Sequence, residues 1–412
     1  MLQRDADPGA VAGHRSGLPE AGADGRHAGG SWLSRLGRED RAALGIWGAA
    51  HLAFLVLAWA AAWAFRSSTA HAPLTGVFEH WDATLMREVA QYGYFGPHAV
   101  PNNDAFFPGY PVALRLAHLL LRNWVLAELA VPAVAGCFAV VALARLAKSH
   151  RAVLYLVVSP AAIFLMVGYA EALFLAFAVP AWLAASRGRW WRAALLAALA
   201  GLVRPDGLFL IPALAVMALA GRPAPDPAAD DAAQPALASP APSVRERLAH
   251  AAIACSALAG PAVYEIYLRA ETGSWLAWSH ALRAGWDLRL TSPVRALKTT
   301  WWAAFQHSFS ASTAWEFQLE LAAMAVMILA VLAFAAGRRW PEAVYCGLAV
   351  VALGTATWFE TGPRTLLLLF PLWVALSRLG DRWPWLRYAY LSVSAPIAVV
   401  LGMLYLSGQW AG

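Results

Sequence analysis

The feature that most restricts this chain is a recurrence of long apolar runs separated by short arginine clusters. Runs able to cross a bilayer as helices cover about 43–65, 124–146, 152–166, 169–186, 190–203 and 207–221. Further runs follow at about 248–269, 318–336, 342–358, 364–379 and 386–407. Several fall short of the roughly 20 residues that a straight span needs, so these boundaries are approximate. Composition points the same way: 60% of the 412 residues are hydrophobic, 14% are charged, and Trp occurs 21 times. A soluble chain of this size needs a more polar surface, whereas a bilayer accepts apolar surface and favours Trp at its interfaces. The expected fold class is an all-α polytopic membrane protein.

Two stretches stand outside this pattern. Residues 1–42 are rich in Gly, Ala, Arg and Asp without a sustained apolar run, and are expected to form a disordered cytoplasmic tail rather than a cleavable signal. Residues 221–245 carry the Pro and Ala load of a cytoplasmic linker. They divide an N-terminal membrane half, 43–220, from a C-terminal half, 246–412. The first loop, 66–105, and a long loop, 271–317, complete the organisation.

Basic residues set the orientation. With Arg35, Arg38 and Arg41 placed in the cytoplasm, the clusters at Arg145/Lys148/Arg151, Arg187/Arg189/Arg192, Arg245/Arg247, Arg338/Arg339 and Arg378/Arg382/Arg387 also fall there. This holds only if the segment 106–121, opening "FFPGYP", makes no separate full crossing. The consistent solution has about eleven transmembrane helices. It gathers "FEHWDAT" (78–84), "GYAEA" (168–172), "RPDG" (204–207), the 271–317 loop and "FETGPR" (359–364) on the opposite, extracytoplasmic face. Charge near hydrocarbon is costly and has to be paired or used, so the convergence suggests a site.

Asp82 precedes "ATLMREVAQY", in which Leu85, Met86, Val89 and Ala90 share one helical face opposite Arg87, Glu88 and Gln91. That pattern predicts a short surface helix. One reading makes Asp82 its N-cap. A cap does not account for Glu79 and His80 beside it, or for Trp81 as an interfacial anchor.

The stretches "HWDATLMREVAQYGY", "FFPGYPVALRL", "SPAAIFLMVGYAEALFLAFA" and "GLVRPDGLFLIPALA" occur in that order, and together they resemble the PIG-V family, the GPI mannosyltransferase II group and its bacterial relatives. The likeness runs over roughly 43–221 and extends weakly through "TGSWLAWSHALRAGW" and "GPRTLLLLFP". It implies a GT-C type membrane glycosyltransferase whose first extracytoplasmic loop carries the essential acid, here Asp82. The implied donor is a polyprenyl-phosphate-linked sugar, typically mannose. In bacterial relatives the last motif commonly has Arg-Tyr, where this chain has Arg364-Thr365, so no ring role is carried to that position.

Residue chemistry is compatible with that expectation. Glycosyl transfer from a lipid phosphate needs a carboxylate to activate or orient an acceptor hydroxyl, and cations to stabilise the departing phosphate. Asp82 fits the first task. Arg204 and Arg364 are candidates for the second, with Glu171 placing a sugar hydroxyl or pairing with an arginine. Glu79, His80 and Trp81 complete the substrate-binding candidates. Arg204 beside Pro205-Asp206 could equally form a local ion pair that ends a helix. A single displacement inverts the anomeric centre. The expected partners are the lipid-linked donor, a lipid or glycan acceptor and membrane lipids at the cell membrane.

Other chemistries lack their marks in the sequence. Cys137, Cys255 and Cys346 are far apart, and the 11 histidines show no ligand pair, so neither a metal site nor a cofactor is expected. No phosphate loop is present, and Asp226, Asp230 and Asp231 lie in the linker. A net charge of +6 without an aromatic-basic stripe gives no reason to expect nucleic acid. A polytopic transporter or lipid flippase stays open, with Glu171, Arg204 and Glu265 along a substrate path. No repeated halves support it.

Overall fold

The computed structural model describes residues 36–64, 74–221, 242–306 and 309–410. The expected tail before residue 36 and most of the linker lie outside the described residues. All regular structure among the described residues is helical: α1 (Arg38–Ala64), α2 (Asp82–Tyr92), α3 (Gly109–Leu121), α4 (Trp124–Ala147), α5 (Arg151–Val157), α6 (Glu171–Ser186), α7 (Trp190–Val203) and α8 (Gly207–Ala220). There follow α9 (Val244–Cys255), α10 (Ala259–Thr272), α11 (Ala277–Trp286), α12 (Pro293–Phe305), α13 (Ala311–Ala336), α14 (Trp340–Gly354), α15 (Gly362–Leu368), α16 (Phe370–Arg382) and α17 (Pro384–Leu406). Among them α1, α4, the α9–α10 pair, α13 and α17 are long and apolar enough to cross a membrane unaided. The chain is a polytopic all-α membrane protein.

Helix α1 begins at Arg38, a turn ahead of its apolar run, because the polar residues there have partners. Asp40 accepts from Arg145 near the end of α4 (Nη2 to Oδ2, 2.7 Å), and Glu39 accepts from the His150 backbone N–H at 2.7 Å. Between these ends Trp47 lies over Gly136, where any larger side chain would collide with the indole, and its Nε1 donates to the Ala133 carbonyl at 2.9 Å. Small residues let membrane helices approach closely where hydrophobic attraction between them is weak. Gly260 against the Ala198 backbone does the same for α10 and α7.

These contacts fix the direction of the chain. Since the start of α1 meets the end of α4, the two helices run antiparallel, and α3 between them makes no net crossing. Arg151 pairs with Asp381 at that same end. At the other end the Tyr405 hydroxyl donates to the His80 carbonyl at 3.4 Å, and Thr291 N–H to Thr355 O at 2.7 Å. Two traverses are broken: α5 stops before Pro160 and is followed by a 3-10 turn, Ala162–Leu165, while α15 and α16 join at Leu369. With each broken pair and α9–α10 counted once, the chain passes between its two ends about eleven times.

Candidate functional site

The "FEHWDAT" stretch is shaped by contacts that the sequence alone does not reveal. Glu79 accepts from Arg87 Nη1 at 2.5 Å, one turn into α2, and Arg87 also faces the buried Glu128 of α4 with Nε to Oε1 at 3.6 Å. His80 sits edge-on to Tyr405, with ring centres 5.9 Å apart; burial lowers its pKa, and the Glu79 charge pulls it partly back. Trp81 donates from Nε1 to the Gln409 carbonyl at 3.3 Å and meets Trp410 edge-on. Its backbone has φ 56° and ψ −136°, a conformation that a bulky residue adopts only when its surroundings impose it. Residues 405–410 at the end of α17 supply that constraint.

Asp82 follows as the first residue of α2. The N-cap is Trp81, without a side-chain capping bond, so the Asp82 carboxylate is not engaged as a cap. Instead Oδ2 accepts from Arg364 Nη1 at 3.2 Å. The Arg364 Nε and Nη2 both lie 2.9 Å from Glu171 Oε1. The same oxygen accepts from Arg204 Nη1 at 2.9 Å, while Arg204 Nε donates to Asp206 Oδ2 at 2.9 Å. Asp82, Arg364, Glu171, Arg204 and Asp206 thus form one chain of alternating charge. The guanidinium of Arg364 also lies over the rings of Phe164 and Tyr169, 4.7 Å from each centre.

Local structure explains this convergence. Glu171 opens α6, where a carboxylate is favoured by the helix dipole, and it is fully buried. Arg204 ends α7, where the dipole favours a cation. Arg364 sits in the first turn of α15, against the dipole, and needs the two carboxylates it meets. Thr361, its helix's N-cap, is left-handed with φ 61°, and the Gly362 N–H donates to Glu320 Oε2 at 2.6 Å. Three carboxylates against two guanidinium groups leave the network with an excess of negative charge. Burial raises the Asp82 pKa, Arg364 opposes that rise, and the neighbouring Glu171 charge adds to it.

A cavity of about 780 Å³ opens beside Asp82. Its walls include Trp286, Trp358, Glu316, Glu320 and Glu360. Burial holds the Glu360 carboxyl up at about 7, with Asp82 pushing the same way and Arg364 opposing. Arg204 and Arg364, expected beside a donor phosphate, stand behind the cavity wall with both guanidinium groups engaged by carboxylates. The local pair expected for Arg204 with Asp206 is present, but it is part of a longer network. The structure therefore brings together Asp82, Glu171, Arg204 and Arg364, leaves Trp81 on the cavity wall, and places Glu79 on Arg87 and His80 on Tyr405. Sequence reasoning passed over Glu316, Glu320 and Glu360. Charged residues inside the apolar α13 were the available signal for the first two.

Among the described residues no cluster of His, Cys, Asp and Glu has the arrangement of a metal site. Asp287, which repeats the Trp-Asp pair, caps the end of α11 and pairs with Arg289 at 2.7 Å, away from the network.

Comparison with known proteins agrees with the resemblance read from the motifs: residues 53–221, less than half of the chain, match the family described as mannosyltransferase (PIG-V). The GPI alpha-1,6-mannosyltransferase 2 of Rattus norvegicus is 36% identical over 153 residues, covering 33% of this chain and 30% of that protein. The Homo sapiens protein of the same name is 36% identical over 156 residues with the same coverage. The chain thus matches under a third of the length of these curated relatives. Among solved structures, the oligosaccharyltransferase of Archaeoglobus fulgidus, crystallised with a tethered acceptor peptide, aligns over 88% of this chain and 55% of its own, with 12% identity and a TM-score of 0.35. Likeness at that level carries no argument about the site.

Proposed function

We propose that this chain is a membrane glycosyltransferase of GT-C type that moves a sugar, most simply mannose, from a polyprenyl-phosphate donor to a lipid or glycan acceptor. The observation that carries this reading is Asp82: a carboxylate on the wall of a substrate-sized cavity, released from capping and held by Arg364. The similarity over residues 53–221 supports the reaction class.

In this reading the acceptor oxygen bonds to the sugar's anomeric carbon while its proton passes to Asp82. The bond from that carbon to the phosphate oxygen breaks, and the phosphate leaves with the electron pair. One displacement inverts the centre. Arg364 fixes the direction of the Asp82 carboxylate, and Glu171 with Arg204 fixes Arg364. Glu79, His80 and Trp81 hold the first loop against α4 and α17. The site faces the extracytoplasmic side of the cell membrane, with the N-terminal and linker segments in the cytoplasm, as the arginine distribution implies.

The test is to offer purified protein labelled polyprenyl-phosphate sugars, nucleotide sugars and a lipid extract of its source. Transfer from the lipid-linked donors alone is expected. Transfer from nucleotide sugars, or from neither class, overturns the proposal.

A further inference from the structure

Resting on that transferase reading, we propose that the cavity beside Asp82 is the acceptor subsite and that it takes a neutral, hydroxyl-rich sugar headgroup, lipid-borne or free. Its volume of about 780 Å³ suits a small saccharide. Trp286 and Trp358 offer flat apolar faces for the C–H surface of a sugar ring. Asp82, Glu316, Glu320 and Glu360 offer oxygens, and an ionised carboxylate only accepts hydrogen bonds. A ligand rich in O–H donors complements that lining.

An anion does not. No arginine or lysine lines the cavity, and among the described residues Glu316, Glu320 and Glu360 form no ion pair. Glu320 is only 6% exposed, and one of its oxygens is already fixed by the Gly362 N–H. A phosphate placed there would meet like charge with no cation to bridge it, and such juxtaposition is strongly unfavourable. Inversion gives the same answer from stereochemistry: the hydroxyl attacks from the side opposite the departing phosphate. With Asp82 and the acceptor on the cavity side, the donor phosphate lies beyond the anomeric carbon, outside the carboxylate-lined space. The acidic lining then acts as a filter that admits neutral acceptors and rejects acidic sugars.

The experiment is equilibrium dialysis of the whole protein in lipid nanodiscs against three labelled probes: mannobiose, hexyl mannoside, and a disaccharide bearing glucuronic acid. The neutral probes are expected to bind at least tenfold more tightly than the acidic one. Glu316→Gln and Glu360→Gln, which keep size and shape, should narrow that gap severalfold, and Trp358→Ala should weaken both neutral probes about tenfold. Tighter binding of hexyl mannoside assigns a lipid-borne acceptor, and tighter binding of mannobiose a free glycan. Equal binding of acidic and neutral probes, or displacement of mannobiose by polyprenyl phosphate, overturns the inference. If transfer proceeds while the probes bind alike, only this inference fails. Selective neutral binding without transfer from any lipid-linked donor removes the transferase reading and leaves a sugar site.

Discussion

Asp82 and Arg364 stand 282 residues apart in sequence, yet Oδ2 of the first accepts from Nη1 of the second at 3.2 Å. The bond joins the first loop to the end of the second membrane half and sets the direction of the carboxylate at the cavity wall. Arg364 is only 5% exposed, so solvent cannot replace the partner it would lose.

The first prediction concerns Asp82→Asn. Asn keeps the size of Asp and caps helices as well, but cannot take a proton as a carboxylate does. The variant should insert and fold, yet lose on the order of a hundredfold or more in turnover, the scale of general-base contributions. Because burial raises the Asp82 pKa, wild-type turnover should fall with decreasing pH from above the ordinary aspartate range. Asp287→Asn, on a carboxylate paired with Arg289, should retain near-normal turnover. Retained activity in the Asp82→Asn protein would move the chemistry elsewhere.

Arg364→Lys separates positioning from phosphate binding. The planar fork of Arg364 serves Asp82 and Glu171 together, and a lysine point charge cannot reproduce both contacts. The variant should lower kcat tenfold or more with little change in donor KM, and Arg364→Leu should destabilise the fold by about 3–5 kcal/mol by leaving carboxylates buried without their partner. A raised donor KM at unchanged kcat in the Lys variant would show that Arg364 touches the phosphate instead.

Legibility in the sequence followed the reach of each physical signal. Apolar length is local, so α4, α7 and α8 lie where the runs placed them, while α5 and α15–α16 are broken by turns that short windows do not resolve. The parity of arginine clusters excluded a crossing by 106–121, and the Asp40–Arg145 contact shows the same folding of the chain. Asp82 was legible because charge at a membrane end is costly. Its partner was not: an arginine at such an end says that an anion is near, without saying which. Arg204 and Arg364 were therefore assigned to phosphate, whereas Glu171 and Asp206 meet Arg204, and Glu171 and Asp82 meet Arg364.

Single cysteines at exposed His98 and Arg122, introduced into a cysteine-free background, test the route through α3. Both should react with a membrane-impermeant reagent added from outside intact cells, since the chain from α1 to α4 returns to one end. A cysteine at exposed Lys148 should stay protected until the membrane is opened. Opposite labelling of positions 98 and 122 would make α3 a full crossing and disperse the proposed site between two faces.

The last prediction uses Glu360. Burial holds its pKa at about 7 in the fold, against a model value of 4.5. Between these values the folded chain binds a proton that the unfolded chain releases. This residue's contribution to stability is therefore full below about 4.5 and is lost as pH rises through about 7. Glu360→Gln removes the ionisation while keeping the shape. The melting temperature of the variant relative to wild type should rise between pH 5 and pH 8, with an upper limit of about 3 kcal/mol for a shift of this size. Detergent-solubilised protein monitored by intrinsic fluorescence gives the measurement. A difference that stays flat across that range would mean that Glu360 titrates as an ordinary solvated glutamate, and that water or a cation already satisfies the acidic wall of the cavity.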